Sequence, residues 1–173
     1  MLNQNASHGV RRYLKSTALH HLTVFILHAV FDAYVEFTNN VGPDSAHSLI
    51  LFEYFPLEKV NSVPKDATAY GCRGNLLNVT FVPTWGNQVE FDSHAKEWAY
   101  KLFDKCVALE KLDESIPEGE EVVGKKGYFN ASMGDETVHV VFGDNYRRLR
   151  ELKKKYDPNS VFRKWFPIVP AED

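Results

Sequence analysis

Glu53 is the acidic residue whose sequence surroundings point most directly to chemistry. It interrupts the otherwise apolar and aromatic stretch "SLILFEYF", Ser48 to Phe55, which reads as a strand bounded by Pro56. A carboxyl group that faces a pocket loses solvation, which favours its protonated form and suits it to proton transfer. The alternative is an edge-strand carboxylate that lies in water or pairs with Arg73 or a lysine.

A second strand is predicted in "LLNVTFVPTW", residues 76–85, and it alternates cleanly. Asn78 and Thr80 fall on one face of this strand. The apolar residues of the opposite face are Leu77, Val79 and Phe81. Because polar side chains are unsuited to a packed core, we expect Asn78 and Thr80 to line a substrate site on the open face of the sheet.

Aromatic side chains and one arginine complete the candidate set. Tyr54, Tyr70 and Tyr128 could donate hydrogen bonds to a substrate carbonyl, although tyrosine is commonly a core residue with a solvated tip. Arg73, within "GCRGN", either binds an anionic oxygen or is a structural turn residue. Trp85 either forms an aromatic wall or closes the end of the sheet.

The histidine spacing predicts no metal site. His20 and His21 are adjacent, so regular structure does not easily direct both toward one ion, and His28 follows two helical turns later. No HxxxH pair or acidic partner completes a ligand set.

The basic segment "RRLRELKKKY", residues 147–156, is interpreted as a helix with a solvated basic face. Leu149, Leu152 and Tyr156 form its expected buried stripe. The whole chain has a net charge of −3 and a pI near 6.2, so no nucleic-acid partner is expected. The apolar run from Leu22 to Phe31 is too short to cross a bilayer, so no membrane partner is expected either.

Length and composition favour one globular domain over residues 1–173. The chain is 44% hydrophobic, which is enough for a real core. Its start lacks a basic region followed by an apolar core, and Cys72 and Cys106 form no disulfide framework. We therefore expect a cytoplasmic protein with reduced thiols.

The order of predicted elements gives the fold class. One helix is expected from Thr23 to Asn39, capped by Thr23 and stopped by the Asn, Gly and Pro of "NNVGPDS". Its expected apolar stripe comprises Val24, Leu27, Phe31, Tyr34, Val35 and Thr38. Three strands follow: residues 48–55, a strand within "ATAYGCRGN" (67–75) that ends in a Gly-rich turn, and residues 76–85. Two further helices are expected over 92–112 and 144–156. The first of these has an apolar stripe that comprises Ala95, Trp98, Ala99, Leu102, Phe103, Cys106 and Leu109. Short connections between strands favour antiparallel pairing, so the fold is expected to be α+β, with helices on one sheet face and a small-molecule pocket on the open face.

The C-terminal part of the chain resembles that of berberine-bridge-enzyme-like FAD-linked oxidases. The matching elements, in order, are Tyr128-x-Asn130, Phe142-Gly143-Asp144-Asn145, Arg148-Leu149 and Lys153-x-x-Tyr156-Asp157-Pro158-Asn159-x-Val161-Phe162. Upstream, "VRRYLKSTAL", "SLILFEYFP" and "VPKDATAYGCRGNLLNVTFVPTW" are similar to the substrate domain of that family. The resemblance covers roughly residues 10–168, with 10–125 substrate-domain-like and 126–168 a C-terminal closure.

The resemblance implies that Tyr128 and Asn130 occupy the position beside the isoalloxazine ring of the flavin. It also implies an N-terminal FAD-binding domain, which this chain is expected to lack. The glycines are scattered and form no phosphate-binding cluster. No cofactor is therefore expected unless a separate chain supplies the flavin domain.

Three functional hypotheses follow. The first is a flavin-independent cyclase, isomerase or lyase of secondary metabolism, with Glu53, Tyr128 and Arg73 catalytic and Asn78, Thr80, Tyr54, Tyr70, Trp85 and Asn130 binding substrate. The second is the substrate-binding half of a split FAD-dependent oxidoreductase. The third is a non-catalytic ligand-binding remnant. A bared apolar sheet face or edge would favour a homodimer.

Overall fold

Two long helices cover one face of a three-stranded antiparallel sheet in this α+β fold, which confirms the fold class. The computed structural model describes residues 9–74, 76–113, 116 and 128–172. The strands are β1 (Arg11–Arg12), β2 (Lys15–Leu19), β3 (Leu49–Glu53), β4 (Leu77–Val82) and β5 (Thr84–Trp85). The helices are α1 (Val24–Val41), α2 (Glu58–Asn61), α3 (Phe91–Glu110), α4 (Val138–Phe142) and α5 (Asn145–Tyr156).

Strand β4 lies at the centre of the main sheet, whose order is β2-β4-β3. Both neighbours run antiparallel to β4. A short second ladder joins β1 to β5 and places Arg11 opposite Trp85. The strand predicted within residues 67–75 is wrong where it can be compared, because residues 67–74 form bends and irregular structure. Two glycines within eight residues, Gly71 and Gly74, interrupt the side-chain pattern that a strand needs.

The main core lies between the sheet and helices α1 and α3. Leu77, Val79 and Phe81 of β4 are almost fully buried there, as the alternation predicted. Helix α3 contributes the predicted stripe, of which Ala95, Ala99, Leu102 and Cys106 are the most completely buried members. Burial raises the pKa of the Cys106 thiol to about 12, which keeps it protonated and unreactive near neutral pH.

Helix α1 begins as predicted, with Thr23 as its cap, but it ends at Val41 rather than Asn39 and buries a different face. The Thr23 hydroxyl accepts a hydrogen bond from the Ile26 N–H at its N-terminus. Gly42, with φ of 74°, follows its last turn. The buried residues are Ile26, Ala29, Val30 and Phe37. The predicted stripe is therefore wrong: four of its members, Val24, Leu27, Phe31 and Val35, are exposed.

The C-terminal segment packs as a smaller apolar cluster of its own. Val141, Phe142, Tyr146 and Phe166 are buried in it, with Ala69 of the loop after α2 packed against them. Helix α5 is confirmed, but its predicted buried stripe is wrong. Leu152 and Tyr156 are exposed and Leu149 is only partly buried. This helix instead buries Asn145 and Tyr146 in its first turn.

A bilayer crossing needs a long and apolar helix, and none is present among the residues that the structure describes.

Candidate functional site

The open face of the sheet is the face that α1 and α3 do not cover. The register pairs Glu53 with Asn78, and it pairs Ser16 and Leu51 with Thr80. Residues opposite each other in antiparallel strands share a face, so these five side chains lie together. The sheet thus gathers polar groups contributed by three different strands.

Glu53, Asn78 and Thr80 form a hydrogen-bonded row across β3 and β4. The Asn78 Nδ2 group donates to Glu53 Oε2. The same Nδ2 group lies 3.3 Å from Thr80 Oγ1, which accepts from it. Glu53 is paired with an amide rather than with Arg73 or a lysine in these hydrogen bonds. The amide therefore fixes the Glu53 carboxyl group on the open face of the sheet.

Two polar atoms of this region are buried without a hydrogen-bond partner in the described structure: Asn78 Oδ1 and Arg73 Nε. The third such atom is Glu110 Oε2, in the last turn of α3. A buried acceptor or donor that makes no hydrogen bond destabilises the folded state by about 1–3 kcal/mol. Such a group in a native protein commonly indicates a bound water or ligand that would satisfy it.

Tyr70 and Arg73 come from the loop that precedes β4. The Arg73 guanidinium carbon lies 5.4 Å from the centre of the Tyr70 ring. Its Nη1 donates to the Val60 carbonyl and its Nη2 to Thr68 Oγ1, both at 2.8 Å. These bonds show the turn-stabilising role that the sequence left open. Binding of an anionic oxygen by Arg73 stays a prediction, and Nε is the atom that could donate a hydrogen bond to it.

Burial raises the pKa of the Tyr70 phenol above its ordinary value, and the neighbouring Cys72 adds to this. Arg73 opposes the shift, whereas Tyr128 and Glu53 reinforce it. The electrostatic influence of Glu53 on Tyr70 shows that this loop lies close to the open face. Tyr70 therefore stays protonated at neutral pH and is available as a hydrogen-bond donor.

Tyr128 and Asn130 reach the same region from the C-terminal segment. Asn130 Nδ2 donates to the Tyr128 hydroxyl at 2.7 Å, so the Tyr-x-Asn triplet forms one hydrogen-bonded unit. Ser16 Oγ donates to the Tyr128 carbonyl at 3.1 Å, which attaches the triplet to the open face at β2. The rings of Tyr70 and Tyr128 meet edge to face, with centroids 6.1 Å apart. We call Glu53, Tyr70, Arg73, Asn78, Thr80 and Tyr128 the polar cluster.

Asn130 adjoins the polar cluster through Tyr128, whereas two other predicted site residues, Trp85 and Tyr54, lie away from it. Trp85 is buried in the main core, and its indole Nε1 donates to Asp92 Oδ1 at 2.9 Å. It therefore closes the sheet end rather than lining the open face. Tyr54 follows β3 and is 70% exposed. It lies just beyond Glu53, the last residue of the strand, and is not part of the hydrogen-bonded row of Glu53, Asn78 and Thr80.

Sequence reasoning missed a second polar group, on the other side of the sheet. Lys15 is 3% exposed, and its Nζ donates to Glu136 Oε1 at 2.6 Å and lies 4.3 Å from the Tyr100 ring centroid. Ser132 donates to the other oxygen of Glu136. We call Lys15, Glu136, Ser132, Asp135 and its tyrosine partners Tyr13 and Tyr100 the clamp.

The clamp attaches the C-terminal segment to β2 and α3. Tyr13 donates to Asp135 Oδ2, and Tyr100 donates to the same oxygen at 2.7 Å. Partial burial alone would raise the pKa of Asp135, but these hydrogen bonds and nearby Lys15 outweigh it and lower the pKa to about 2. The signal in the sequence was a lysine at the start of the strand "KSTAL", because a lysine that is buried requires a nearby anion.

The described residues fit the ring and substrate side of a flavin site better than its diphosphate side. The polar cluster offers phenols, a carboxylate and an unsatisfied amide oxygen, which suit a polar ring edge or a substrate hydroxyl. Phosphate loops need successive backbone N–H groups that converge. The described glycines with left-handed backbone, Gly9, Gly42, Gly74, Gly134 and Gly143, are spread singly along the chain.

Comparison with known proteins supports the family resemblance. The family profile "Berberine and berberine like" matches residues 127–168. The FAD-linked oxidoreductase pgmH of Aspergillus terreus is 34% identical over 173 aligned residues, which cover 94% of this chain and 34% of that relative. The chain carries a berberine-bridge-enzyme-like segment at residues 127–168, and it is similar to part of relatives named FAD-linked oxidoreductases.

Solved structures of such flavoenzymes share the fold of this chain. CrmK, a flavoenzyme involved in shunt product recycling in caerulomycin biosynthesis, superposes with a TM-score of 0.68 at 24% identity, over 96% of this chain and 34% of CrmK. A glycopeptide hexose oxidase complexed with teicoplanin gives a TM-score of 0.68 at 23% identity, over 94% of this chain and 33% of that protein. The chain thus spans about a third of the length of the relatives it matches.

Proposed function

We propose that this chain forms the substrate-side part of an FAD-linked oxidoreductase. The open sheet face would bind a hydroxyl-bearing small molecule, and residues equivalent to the other two-thirds of the relatives would hold the FAD. The flavin would accept the hydride. The residues of this chain would bind the substrate, orient it and receive its hydroxyl proton.

The observation that carries the proposal is the convergence of the polar cluster on one sheet face. The Tyr128–Asn130 pair, Glu53 and Asn78 come from three separate parts of the chain, yet contacts or electrostatic influence connect them through Ser16 and Tyr70. Asn78 Oδ1 supplies an acceptor for a substrate hydroxyl. A positioned phenol or carboxylate within hydrogen-bond reach of that hydroxyl is what general-base catalysis requires.

The test is a chimera in which this chain replaces the corresponding third of the Aspergillus terreus relative. We expect the purified chimera to be yellow and to retain FAD. We also expect its flavin to be reduced by an alcohol-bearing substrate under anaerobic conditions. Tyr128→Phe should keep the flavin bands and slow reduction by about 10²-fold or more, which is the usual contribution of a general base.

The matched control is Tyr54→Phe, since Tyr54 lies outside the polar cluster and is exposed. It should leave both the flavin content and the reduction rate unchanged. A colourless but folded chimera, or equal reduction rates in the Tyr128 and Tyr54 variants, would contradict the proposal.

The second candidate is a flavin-independent cyclase, isomerase or lyase. The observation in its favour is the pairing of an amide-bound carboxylate, Glu53, with a protonated phenol, Tyr70, on the same face. Groups held in different protonation states can move a proton between two positions of a substrate without redox chemistry. Orientation of a reactive intermediate in such a site lowers the barrier further.

The purified chain by itself distinguishes the two candidates. Turnover of a polycyclic or polyene substrate by the colourless chain, lost in Glu53→Gln, would support the non-redox enzyme. Absence of turnover by the chain alone, together with a yellow and active chimera, would support the oxidoreductase. For either candidate function, we propose the cytoplasmic location that the sequence predicts.

A further inference from the structure

The Tyr70 hydroxyl is an unused hydrogen-bond donor beside the open face of the sheet. Within the described part of the chain it has no hydrogen-bond partner, whereas the Tyr128 hydroxyl accepts from Asn130. The Tyr70 ring is half-buried, and its phenol lies within electrostatic range of Glu53 and Tyr128. A tyrosine hydroxyl that leaves solvent usually finds a hydrogen-bond partner. The hydroxyl of Tyr70 is therefore suited to a ligand oxygen.

Two groups hold the Tyr70 ring in place. The Arg73 guanidinium carbon lies 5.4 Å from the centre of the ring, within the range of a cation–π contact. The Tyr128 ring meets it edge to face, with the two centroids 6.1 Å apart. The ring thus contacts a cation and a second aromatic ring, which together limit its movement.

Arg73 is itself fixed by the loop that carries Tyr70. Its Nη1 and Nη2 donate to the Val60 carbonyl and to Thr68 Oγ1, both at 2.8 Å. The Tyr70 backbone N–H donates to the same Thr68 oxygen at 3.3 Å. Bidentate binding of an anion occupies two N–H groups of a guanidinium at once. Because both terminal nitrogens already have protein partners, Arg73 is better placed to support Tyr70 than to bind a substrate anion through both of them.

Helix α5 and the smaller apolar cluster fix this loop from outside. Asn145 Nδ2 donates to the Lys65 carbonyl at 2.9 Å, and Arg148 Nη1 donates to the Asp66 carbonyl at 3.0 Å. Ala69 packs against the smaller apolar cluster. Hydrogen bonds and apolar packing therefore set the position of the loop.

We propose that Arg73 is a positioning residue that acts through Tyr70, whose hydroxyl donates a hydrogen bond to the substrate oxygen. The inference rests on the proposed function, because this oxygen is that of the substrate hydroxyl. As the hydroxyl proton leaves for the base and the hydride leaves for the flavin, negative charge develops on that oxygen. A donor already aimed at the oxygen stabilises this charge. Tyr70 keeps its own proton throughout, so it complements Tyr128 or Glu53 and does not replace them as the base.

The charge of Arg73 supports the same role. Burial raises the pKa of the Tyr70 phenol, and Arg73 opposes that rise because its positive charge favours the ionised form. A phenol of lower pKa is a stronger hydrogen-bond donor. Arg73 therefore influences both the orientation and the donor strength of Tyr70.

The first experiment uses the chain alone and needs no flavin. With carbon-13 in the tyrosine rings, nuclear magnetic resonance follows the ionisation of each phenol, and Tyr70 is the signal that Tyr70→Phe removes. Arg73→Gln should move the ionisation of Tyr70 to higher pH by roughly 0.5 pH units or more, because the opposing positive charge is gone. Lys59→Gln is the matched control, since it removes an exposed cation of α2 and should leave Tyr70 unchanged.

Equal ionisation of Tyr70 in the parent and in Arg73→Gln would overturn the proposal. Circular dichroism verifies that the variants keep the helical content of the parent. If Arg73→Gln loses it, the milder Arg73→Lys replaces that variant and should show a smaller change in the same direction.

The second experiment is a double-mutant cycle in the chimera, with benzylic alcohols as the probe and anaerobic flavin reduction as the readout. Tyr70→Phe should slow reduction by about 10²-fold, the usual loss when one donor to a developing negative charge is removed. Arg73→Gln should slow it by about tenfold, because the Tyr70 hydroxyl remains but is less well aimed. In the Tyr70→Phe background, Arg73→Gln should change the rate by less than about twofold, because a residue that acts only through a hydroxyl has no effect once that hydroxyl is absent.

Two failures are distinguishable in this experiment. Equal slowing by Arg73→Gln in both backgrounds would show a direct contact with the substrate or a general effect on the loop, and it would overturn the proposal. Lys59→Gln should leave the rate unchanged in either background. A yellow chimera that no alcohol reduces would contradict the proposed function instead, and the ionisation of Tyr70 in the chain alone would still decide whether Arg73 acts on it.

Discussion

The two faces of β4 differ in whether the buried polar groups beside them have partners. On the face covered by α1 and α3, Leu77, Val79 and Phe81 are buried in apolar surroundings, and the buried Lys15 on the same face has a carboxylate partner in Glu136. On the open face, Asn78 keeps an acceptor oxygen that makes no hydrogen bond within the described residues. Along β4, the covered face is therefore packed with apolar side chains, whereas the open face retains a hydrogen-bond acceptor that a ligand could use.

The largest expected effect concerns Phe81, which is fully buried on the covered face. Phe81→Ala should lower the free energy of unfolding by about 3–5 kcal/mol, because it removes buried area and leaves a cavity. Its neighbour Thr80 provides the control on the other face. Thr80→Ala should cost less, about 1–2 kcal/mol, because it removes one hydrogen bond and one buried methyl group. Urea denaturation of both variants measures the difference, and equal losses would show that the faces are not distinct.

The next effect concerns the clamp. Lys15→Met should lower the free energy of unfolding by about 3 kcal/mol, because it leaves Glu136 without its cation in a largely buried position. The double variant Lys15→Met with Glu136→Leu should recover part of that loss. A double-mutant cycle by urea denaturation measures the coupling, and purely additive losses would exclude an energetic pair.

A smaller effect should appear at acid pH. The pKa of Asp135 in the folded protein is about 2, below the ordinary value of an aspartate carboxyl group, 3.8. A depressed pKa stabilises the folded state above the unfolded-state pKa, and this contribution is lost as the pH falls toward 2. The difference in stability between the parent and Asp135→Asn should therefore shrink between about pH 4 and pH 2. A difference that stays constant over this range would contradict the assignment.

The smallest effect on stability is expected on the open face. Asn78→Ala removes the hydrogen bond to Glu53 but also removes an unsatisfied buried acceptor, so the net change should be within about 1 kcal/mol. In the chimera with the FAD-bearing relative, the same change should weaken substrate binding while leaving the flavin bands intact. Thermal unfolding and anaerobic flavin reduction measure the two quantities. A large loss of stability with unchanged flavin reduction would indicate a structural residue.

Local signals in the sequence were sufficient for several elements. Thr23 as a cap, Gly42 as a stop and the stripe of α3 each depend on residues within a few positions of one another. The alternation of Leu77 to Phe81 identified both faces of β4 correctly. Such features are predictable because short-range geometry and side-chain periodicity determine them.

The sequence predictions were wrong for the buried face of helix α1, which is apolar on two sides, and for the loop over residues 67–74, whose sequence resembles that of a strand. Helix α1 has two apolar stripes, and periodicity alone does not say which one faces the sheet. The loop with Tyr70 and Arg73 is rich in residues that strands also use, yet its hydrogen bonds go to Val60 and Thr68.

By itself, the sequence determined the α+β class, the family resemblance and the identity of the polar residues on β3 and β4, since composition, motif order and alternation are properties of the linear chain. Only the tertiary structure decided which distant groups meet. Tyr128 reaches the open face through Ser16, and Lys15 finds Glu136 more than a hundred residues away. Contacts at such separation depend on how the elements pack, and packing is selected by the whole set of buried surfaces rather than by any local pattern.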